Sequence, residues 1–574
     1  MLVLGLNAYH GDASAALFID GDLAVAVEEE RLNRQKHSAG FPRLAARAAL
    51  ELAPGAVRAQ DLDHIAVSRD PRAQLLRKAL YLGERAARLA LSPATDRKTD
   101  GAALWTTLQQ RLANRQRMAK VEQALAQALA VPESALRAQV HAVEHHRAHL
   151  ASAFFASGFD QAAVLSLDGF GDFVSTMWGV GRDLRIDVEG AVYFPHSLGL
   201  LYTAVCQWLG FAKYGDEGKV MGLSAYGRPR QLARMRSLLR LLEDGSFALE
   251  LRYFRHHREG VDMSFAAGTP SLGRLYADAL CELLGAPRPP GPGIEEQEYY
   301  CDVAASLQAL LEEAVLHLCR ALHRRTGQRR LCLAGGVALN CVANGRILDD
   351  SGFTELFIQP AAGDNGTALG AALWVEHQIL GRPRRFVMRH AYTGPEFDEA
   401  PCRTALDAFL AGQKDAVELR RLSPPELTER AAADIADGAV LGWFQGRMEF
   451  GPRALGHRSI LCDPRRSDMK QILNRRIKHR EPFRPFAPSV LKEEAAGWFE
   501  RGAASPAMLL IDRVRPERRA QIPAVTHEDG TARLQTVSME TSPLYHALLR
   551  AFYRRTAVPM LLNTSFNEHE PIVC

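Results

Sequence analysis

The sequence predicts a multidomain α/β protein, and three observations point there. The first 30 residues alternate apolar runs with polar turns: residues 1–6 and 13–19 are apolar, Asp20-Gly21 is a hairpin signal, and residues 23–27 supply a third strand. The strand pattern returns near residue 162 in AAVLSLDGFGD and FVSTMWGVG. It returns again at residues 331–333, where a buried run meets Gly335-Gly336 and leads to a helix start near Asn340. Residues 301–325 place apolar side chains at helical spacing. Two rounds of strands followed by helices fit a duplicated α/β core.

Composition narrows the class. The chain has 574 residues, 47% apolar and 24% charged, close to globular averages, which excludes disordered and collagen-like chains. A net charge of +4 spread over this surface gives no global case for nucleic acid or membrane. No apolar run reaches the length of a membrane span, and the N-terminus has neither a basic region nor an apolar stretch of signal length. The nine cysteines form no C-x-x-C pair, which fits a reducing, cytoplasmic setting. Residues 71–140 read as helical. Within them, residues 71–120 carry 11 basic and three acidic side chains, among them Arg72, Arg77, Lys78, Arg85, Arg88, Arg111, Arg115, Arg117 and Lys120. A solvated face on an inserted hairpin explains that run more simply than an anionic partner. Residues 381–400 read as a linker, followed near Glu418 by a second region rich in Arg, Pro and turns.

Three constellations carry chemistry. In HHRAHLASAFFASG, His145 and His149 are four apart on a helix, a geometry for two imidazoles on one ion. Asp168 ends an apolar strand and Asp364 lies in a Gly-flanked loop opening a helix; two His with two Asp suit a borderline metal such as Fe(II), Zn or Mn. The strand–polar turn–strand opening has the form in which actin-like ATPase folds hold phosphates. The turn Gly335-Gly336 and the segment around Lys219, between glycines, could equally approach a nucleotide or be plain loops. In the last 160 residues, single cations sit in rigid turns: Gln445-Gly446-Arg447, Gly451-Pro452-Arg453, Lys478-His479-Arg480-Glu481-Pro482-Phe483-Arg484, and the polar end Asn563-Thr564-Ser565. That pattern suits a small phosphate-bearing ligand.

Taken as a set, the strings GLNAYHGDASAAL, EEERLNRQKH, EHHRAHLASAFF, LDGFGD, EGKVMGLSAYG, LAGGVALN, GDNGTALGAA, GRMEFGPRALGHRSIL, NRRIKHREPFRPFAPSV and LNTSFN resemble the NodU/CmcH family of O-carbamoyltransferases. The resemblance implies a duplicated actin/sugar-kinase-like (ribonuclease H-like) N-terminal module similar to TsaD over residues 1–385, with a helical insert at about 71–135. It further implies a YrdC-like α/β module over 395–574, cut short at Cys574, where Asn567-Glu568-His569-Glu570-Pro571 departs from the family's N-x-x-G-E-P. The implied activity is ATP-dependent: carbamoyl phosphate and ATP give carbamoyl-adenylate in the second module, and the first transfers carbamoyl to a hydroxyl of a small molecule or glycan. Matched position by position, His145, His149, Asp168 and Asp364 would hold the metal, with Fe(II) expected and Mg accompanying ATP. His10 would sit beside the acceptor hydroxyl with Lys36 near it. Arg453, Lys478, Arg484, Arg533 and Ser565 would bind carbamoyl phosphate and nucleotide, joined by Arg447 and Asn563. Gly335, Gly336 and Asn340, with Lys219, would border the adenylate. Two other readings compete: a tRNA threonylcarbamoylation enzyme, against which the fused order and the PRALG and RPFAP strings count, and a non-catalytic RNA- or partner-binding scaffold using the basic insert.

Overall fold

The alternating runs at the N-terminus form three antiparallel strands, β1 (Leu2–Asn7), β2 (Ser14–Ile19) and β3 (Asp22–Glu28). In the computed structural model, which describes residues 1–91, 116, 118, 120–261, 263–264, 268–411 and 418–574, two parallel strands extend this sheet. They are β4 (His64–Val67) and β5 (Gln139–Ala142), giving the order β3-β2-β1-β4-β5. A second sheet contains β6 (Gln161–Gly171), β7 (Val174–Arg182), β8 (Arg185–Tyr193), β9 (Arg330–Ala334) and β10 (Glu355–Ile358), in the order β10-β9-β6-β7-β8. Taken from its other edge, this is the same topology: an antiparallel meander of three strands whose first strand is flanked by two parallel ones.

Five helices of this unit frame its site and its surface: α1 (Leu75–Leu91), α2 (His145–Phe154), α3 (Glu298–Thr326), α4 (Cys341–Asp350) and α5 (Thr367–Leu373). Helix α5 lies on β1, β2 and β4 of the first sheet, α2 lies on β6, β7 and β9 of the second, and the two helices pack on each other. Their approach is so close that a Cβ on Gly370 would stand 1.8 Å from the carbonyl oxygen of Ala148. The two sheets thus meet through one shared helical layer, and α2 is buried on nearly every side.

Among the described residues, the helical reading of 71–140 holds for α1 and for Val121–Leu129 and fails after Leu129. Ala130 takes a left-handed turn (φ 56°) ahead of Pro132, and Gln139–Ala142 pairs with β4 as an edge strand. Arg111, Arg115 and Arg117, and the side chain of Arg88, lie outside the described residues.

The chain divides into two compact units, residues 1–388 and 389–574. The second has its own mixed sheet, built from β11 (Leu441–Phe444), β12 (Arg458–Cys462), β13 (Ala487–Leu491), β14 (Leu510–Arg513), β15 (Thr531–Val537) and β16 (Met560–Ser565), in the order β11-β12-β16-β13-β15-β14. Helices α6 (Pro424–Ala436) and α7 (Pro543–Thr556) pack together over a core that includes Trp443, Leu461, Val490, Leu549, Phe552 and Leu562. A capping box between Ser423 and Glu426 starts α6. Among the described residues no helix is long and apolar enough to cross a membrane.

The helical layer yields a direct test. Gly370→Ala must push α2 and α5 apart and should cost about 1–3 kcal/mol in denaturant unfolding. Gly218→Ala, where a Cβ meets nothing within 4 Å, should be neutral or stabilising by up to about 1 kcal/mol. Equal effects at the two positions would contradict the described packing.

Candidate metal centre

The start of α2 is held by two carboxylates. Glu144 accepts hydrogen bonds from the backbone N–H groups of His146 (3.1 Å) and Arg147 (2.8 Å), and Asp172 accepts from those of His145 (3.1 Å) and Asp70 (2.7 Å). This anchoring orients one face of the helix, and His145 and His149 stand on it four residues apart. Asp172 lies four residues beyond Asp168 in the same LDGFGD string, and only the fold shows that it serves the helix rather than the metal-ligand set. His146 points elsewhere, bonding Ser166 Oγ (2.7 Å) and the Val174 carbonyl (2.9 Å) across the second sheet.

Each aspartate comes from a different half of the layer. Asp168, on β6, accepts the Gly336 N–H at 2.8 Å. That approach requires the glycine turn: Gly335 has φ 94°, and a Cβ there would meet the Leu167 carbonyl oxygen at 2.1 Å. Asp364 stands on the turn entering α5, and strand ends of the first sheet tie that turn down. Ser14 Oγ donates to the Asn365 carbonyl (2.7 Å), and Asn365 Nδ2 donates to Glu28 (3.1 Å). Thr367 Oγ1 bonds Ser68 Oγ (2.8 Å) and the Asp364 carbonyl (2.6 Å).

The result is four donors with their ligand atoms all within 4.8 Å of one another. His145 Nε2 lies 3.1 Å from His149 Nε2 and 3.4 Å from both Asp168 Oδ2 and Asp364 Oδ1; His149 Nε2 lies 3.6 Å from Asp364 Oδ1. Ligands about 2.1 Å from one ion at octahedral or tetrahedral angles are about 3.0–3.4 Å apart, so the set fits a single divalent ion. Two facing imidazole nitrogens and two carboxylates also balance its charge. Burial works to lower His145, and the Asp364 and Asp168 carboxylates more than offset it, holding this imidazole well above the ordinary histidine range. Burial and the Asp364 charge work to raise Asp168, yet its hydrogen bond with His145 holds it at about 2.

His10, in the β1–β2 turn, stacks on His145 (centroids 4.7 Å apart), with Nδ1 3.7 Å from Asp364 Oδ2. Burial, reinforced by the Arg69 and His145 cations, holds it well below the ordinary histidine range, hence neutral. Its Nε2 is buried without a hydrogen-bond partner among the described residues. Lys36 is exposed, and its charge acts on His37. A second trio, Asp12, Glu30 and His37, also gathers within 4.8 Å, with His37 Nδ1 2.8 Å from Asp12 and its backbone N–H bonded to Glu30. Lys219 pairs with Asp216 at 2.9 Å. Asn340 caps α4 through the Ala343 N–H (3.0 Å) and exchanges two hydrogen bonds with Gln308, so its side chain is used within the fold.

In the second unit, the Lys478 ammonium is buried and bonds Ser565 Oγ (3.3 Å), the Asn567 carbonyl (2.6 Å) and Asn567 Oδ1 (3.0 Å), fixing the chain after β16. Arg480 lies over the Phe486 ring and donates to Asn474 (2.8 Å). Burial, then the Arg484 and Arg533 cations, push it down to about 9. Glu481, 3.7 Å from Arg484, offsets part of that repulsion, and the three guanidiniums share a half-buried place. Arg480 is the cation that spacing alone did not single out from KHREPFRPF. Arg453 is half-buried in the β11–β12 loop. Arg447 donates to the carbonyls of Thr393 and Gly394, and buried Asn563 ties Ala454, Ser489 and Gln535 together.

A mixed α/β protein with a His₂Asp₂ group fit for a divalent ion is the class these features define. Residues 2–373 match the family Carbamoyltransferase N-terminus, and residues 432–574 match Carbamoyltransferase C-terminus. The chain is 40% identical over 602 residues to the uncharacterized protein sll1178 of Synechocystis sp., covering 100% of this chain and 92% of that one. It is 38% identical over 576 residues to nodulation protein NolNO of Sinorhizobium fredii (99% and 76% covered) and 29% identical over 590 residues to nodulation protein U of that organism (99% and 94%). Among solved structures, T. kodakarensis HypF overlaps 66% of this chain and 48% of its own at 15% identity and a TM-score of 0.30, an overlap that carries no argument about the site. The chain belongs to the NodU/CmcH family and is a carbamoyltransferase.

Because the two carboxylates hold a proton on His145, an entering divalent ion must displace it. Metal binding should release protons, and apparent affinity should rise with pH through the neutral range by up to about tenfold per unit. Titration calorimetry in buffers of different ionisation enthalpy reads this directly. Asp364→Asn should lower affinity by at least about 10–100-fold; pH-independent binding would contradict the geometry.

Proposed function

We propose that the protein is an ATP-dependent O-carbamoyltransferase working in two steps. The observation that carries this reading is the neutral, buried His10 stacked against a His₂Asp₂ group. In this reading the first unit is actin/sugar-kinase-like and the second YrdC-like. In the second unit water releases inorganic phosphate from carbamoyl phosphate, and the carbamate so formed attacks the α-phosphorus of ATP and expels pyrophosphate to give carbamoyl-adenylate, Arg453, Arg480, Arg484 and Arg533 neutralising phosphate charge around Lys478 and Ser565. A divalent ion on His145, His149, Asp168 and Asp364, Fe(II) in this reading, supplies a Lewis acid for the carbamoyl carbonyl.

In the transfer step the acceptor hydroxyl attacks the carbamoyl carbon, the bond to AMP breaks, and His10 Nε2 takes the hydroxyl proton. The low basicity of His10 keeps the ring neutral at neutral pH, and Asp364 facing Nδ1 favours its single proton there, leaving Nε2 to accept. Asp364 faces the other ring nitrogen at 3.7 Å and steadies the imidazolium once it forms. Gly336 keeps Asp168 in line through its N–H. The acceptor is a small molecule or glycan bearing a hydroxyl.

Mass spectrometry of carbamoyl-adenylate, with ATP and carbamoyl phosphate supplied, separates the steps. Wild type, His145→Ala and His10→Ala should all accumulate adenylate, Arg453→Ala and Arg480→Ala should lose it by at least about 100-fold, and only wild type should go on to carbamoylate an accepted hydroxyl. Adenylate lost in His145→Ala but kept in Arg453→Ala would reverse the assignment of the two units.

A further inference from the structure

Half-buried Arg453 stands in the middle of the β11–β12 loop, and a buried carboxylate closes that loop on itself. Glu449, 0% exposed, brings Oε1 to the backbone N–H groups of Leu455 (2.7 Å), His457 (3.0 Å) and Arg458 (3.2 Å). N–H groups that converge in this way make an anion-binding hollow, and the chain fills it with its own side chain. The bonds tie the residue four before Arg453 to residues two, four and five after it, so Arg453 is the apex of a ring. The near limb of the ring is fixed from outside: the Phe450 N–H bonds the Ala391 carbonyl (2.7 Å) and the Met448 N–H the Pro395 carbonyl (2.9 Å). The far limb is fixed as well. Asn563 Nδ2 donates to the Ala454 carbonyl (3.1 Å), and the Tyr392 hydroxyl and Gln535 Nε2 donate to the Leu455 carbonyl (2.9 and 2.8 Å). The Gly456 N–H bonds Ser459 Oγ (2.9 Å).

A loop that only had to close could bond these N–H groups to carbonyls or to water. A carboxylate taken out of water is the harder choice, and Oε2 of Glu449 is buried without a hydrogen-bond partner among the described residues. What the carboxylate adds is a charge-assisted grip on both limbs from one oxygen, which sets the backbone position of Arg453. A guanidinium on a long side chain depends on that position, because a shift of about 1 Å at a binding group can lower a rate by about 100-fold. We propose that Glu449 is a positioning residue for Arg453, setting where its guanidinium meets the phosphate-bearing substrate. The inference rests on the reading of the second unit as the place where the adenylate forms.

A double-mutant cycle tests it, read as kcat/KM for pyrophosphate release from radiolabelled ATP with carbamoyl phosphate present. Glu449→Gln keeps the size of the side chain and should lower the rate by about 10–100-fold. Beside Arg453→Ala the same change should alter it by less than about twofold, because the group that Glu449 positions is gone. A residue that only supports the fold would lower both backgrounds by the same factor. Tyr392→Phe releases one bond on the Leu455 carbonyl and keeps the ring stacked on His457. It should lower the rate by about 2–10-fold alone and by less than about twofold beside Arg453→Ala. It carries the test if thermal unfolding shows that Glu449→Gln does not fold. Equal losses in the two backgrounds, or full activity in Glu449→Gln, would overturn the inference and leave the reading of the second unit standing. Full pyrophosphate release in Arg453→Ala would overturn that reading and the inference with it.

Discussion

Two carboxylates and two imidazoles within 4.8 Å of one another repel, demand protons or demand a cation, and apolar packing alone does not hold them there. The rest of the first unit is arranged around that demand. One aspartate is held by the second sheet through a glycine N–H, and the turn carrying the other is held by the Ser14 and Ser68 hydroxyls and the Glu28 carboxylate at the ends of β2, β4 and β3. The histidines come from a helix whose first turn is tied by Glu144 and Asp172. Each ligand therefore has a rigid element behind it, as a preorganised site needs. The duplicated topology has a consequence here: two like sheets back onto α2 and α5, and the ligands collect where that layer begins.

The second unit meets the opposite electrostatic problem. Burial, with the Arg484 and Arg533 cations adding to it, pushes Arg480 down to about 9, a cost that an anion bound there would relieve. A cation-rich place in one unit and a carboxylate–imidazole group in the other are chemically matched to activating a phosphate-bearing substrate and to transferring its carbonyl group. That division of labour is the core of the proposed two-step reaction.

Much of this is legible in the chain. The strand–turn–strand opening and the His145–His149 spacing follow from local periodicity, which is a short-range property; Asp168 closes the apolar run, while the strand itself continues to Gly171. What local pattern does not contain is distance across the fold. Nothing in the spacing joins Asp364 to His145, 219 positions earlier, because Asp364 reaches it only through α5 packing on α2. For the same reason local spacing does not contain the N–H that Gly336 donates to Asp168 or the cap that Asn340 places on α4. The helical region ends sooner than its pattern suggests, because a strand of four residues, Gln139–Ala142, all exposed or half-exposed and two of them polar, exists only through pairing with β4. Alanine-rich flanks favour helix locally, and tertiary pairing overrides them.

The account stands on one claim, that His145, His149, Asp168 and Asp364 share a single ion. X-ray absorption spectroscopy of the protein loaded with one equivalent of Fe(II) tests it most directly. Two imidazole nitrogens and at least two carboxylate oxygens in the first coordination sphere of wild type, with one imidazole lost in His149→Ala, is the predicted result. A sphere of oxygens with one imidazole or none, unchanged by His149→Ala and altered by His37→Ala, would place the ion on the Asp12–Glu30–His37 trio and contradict the account.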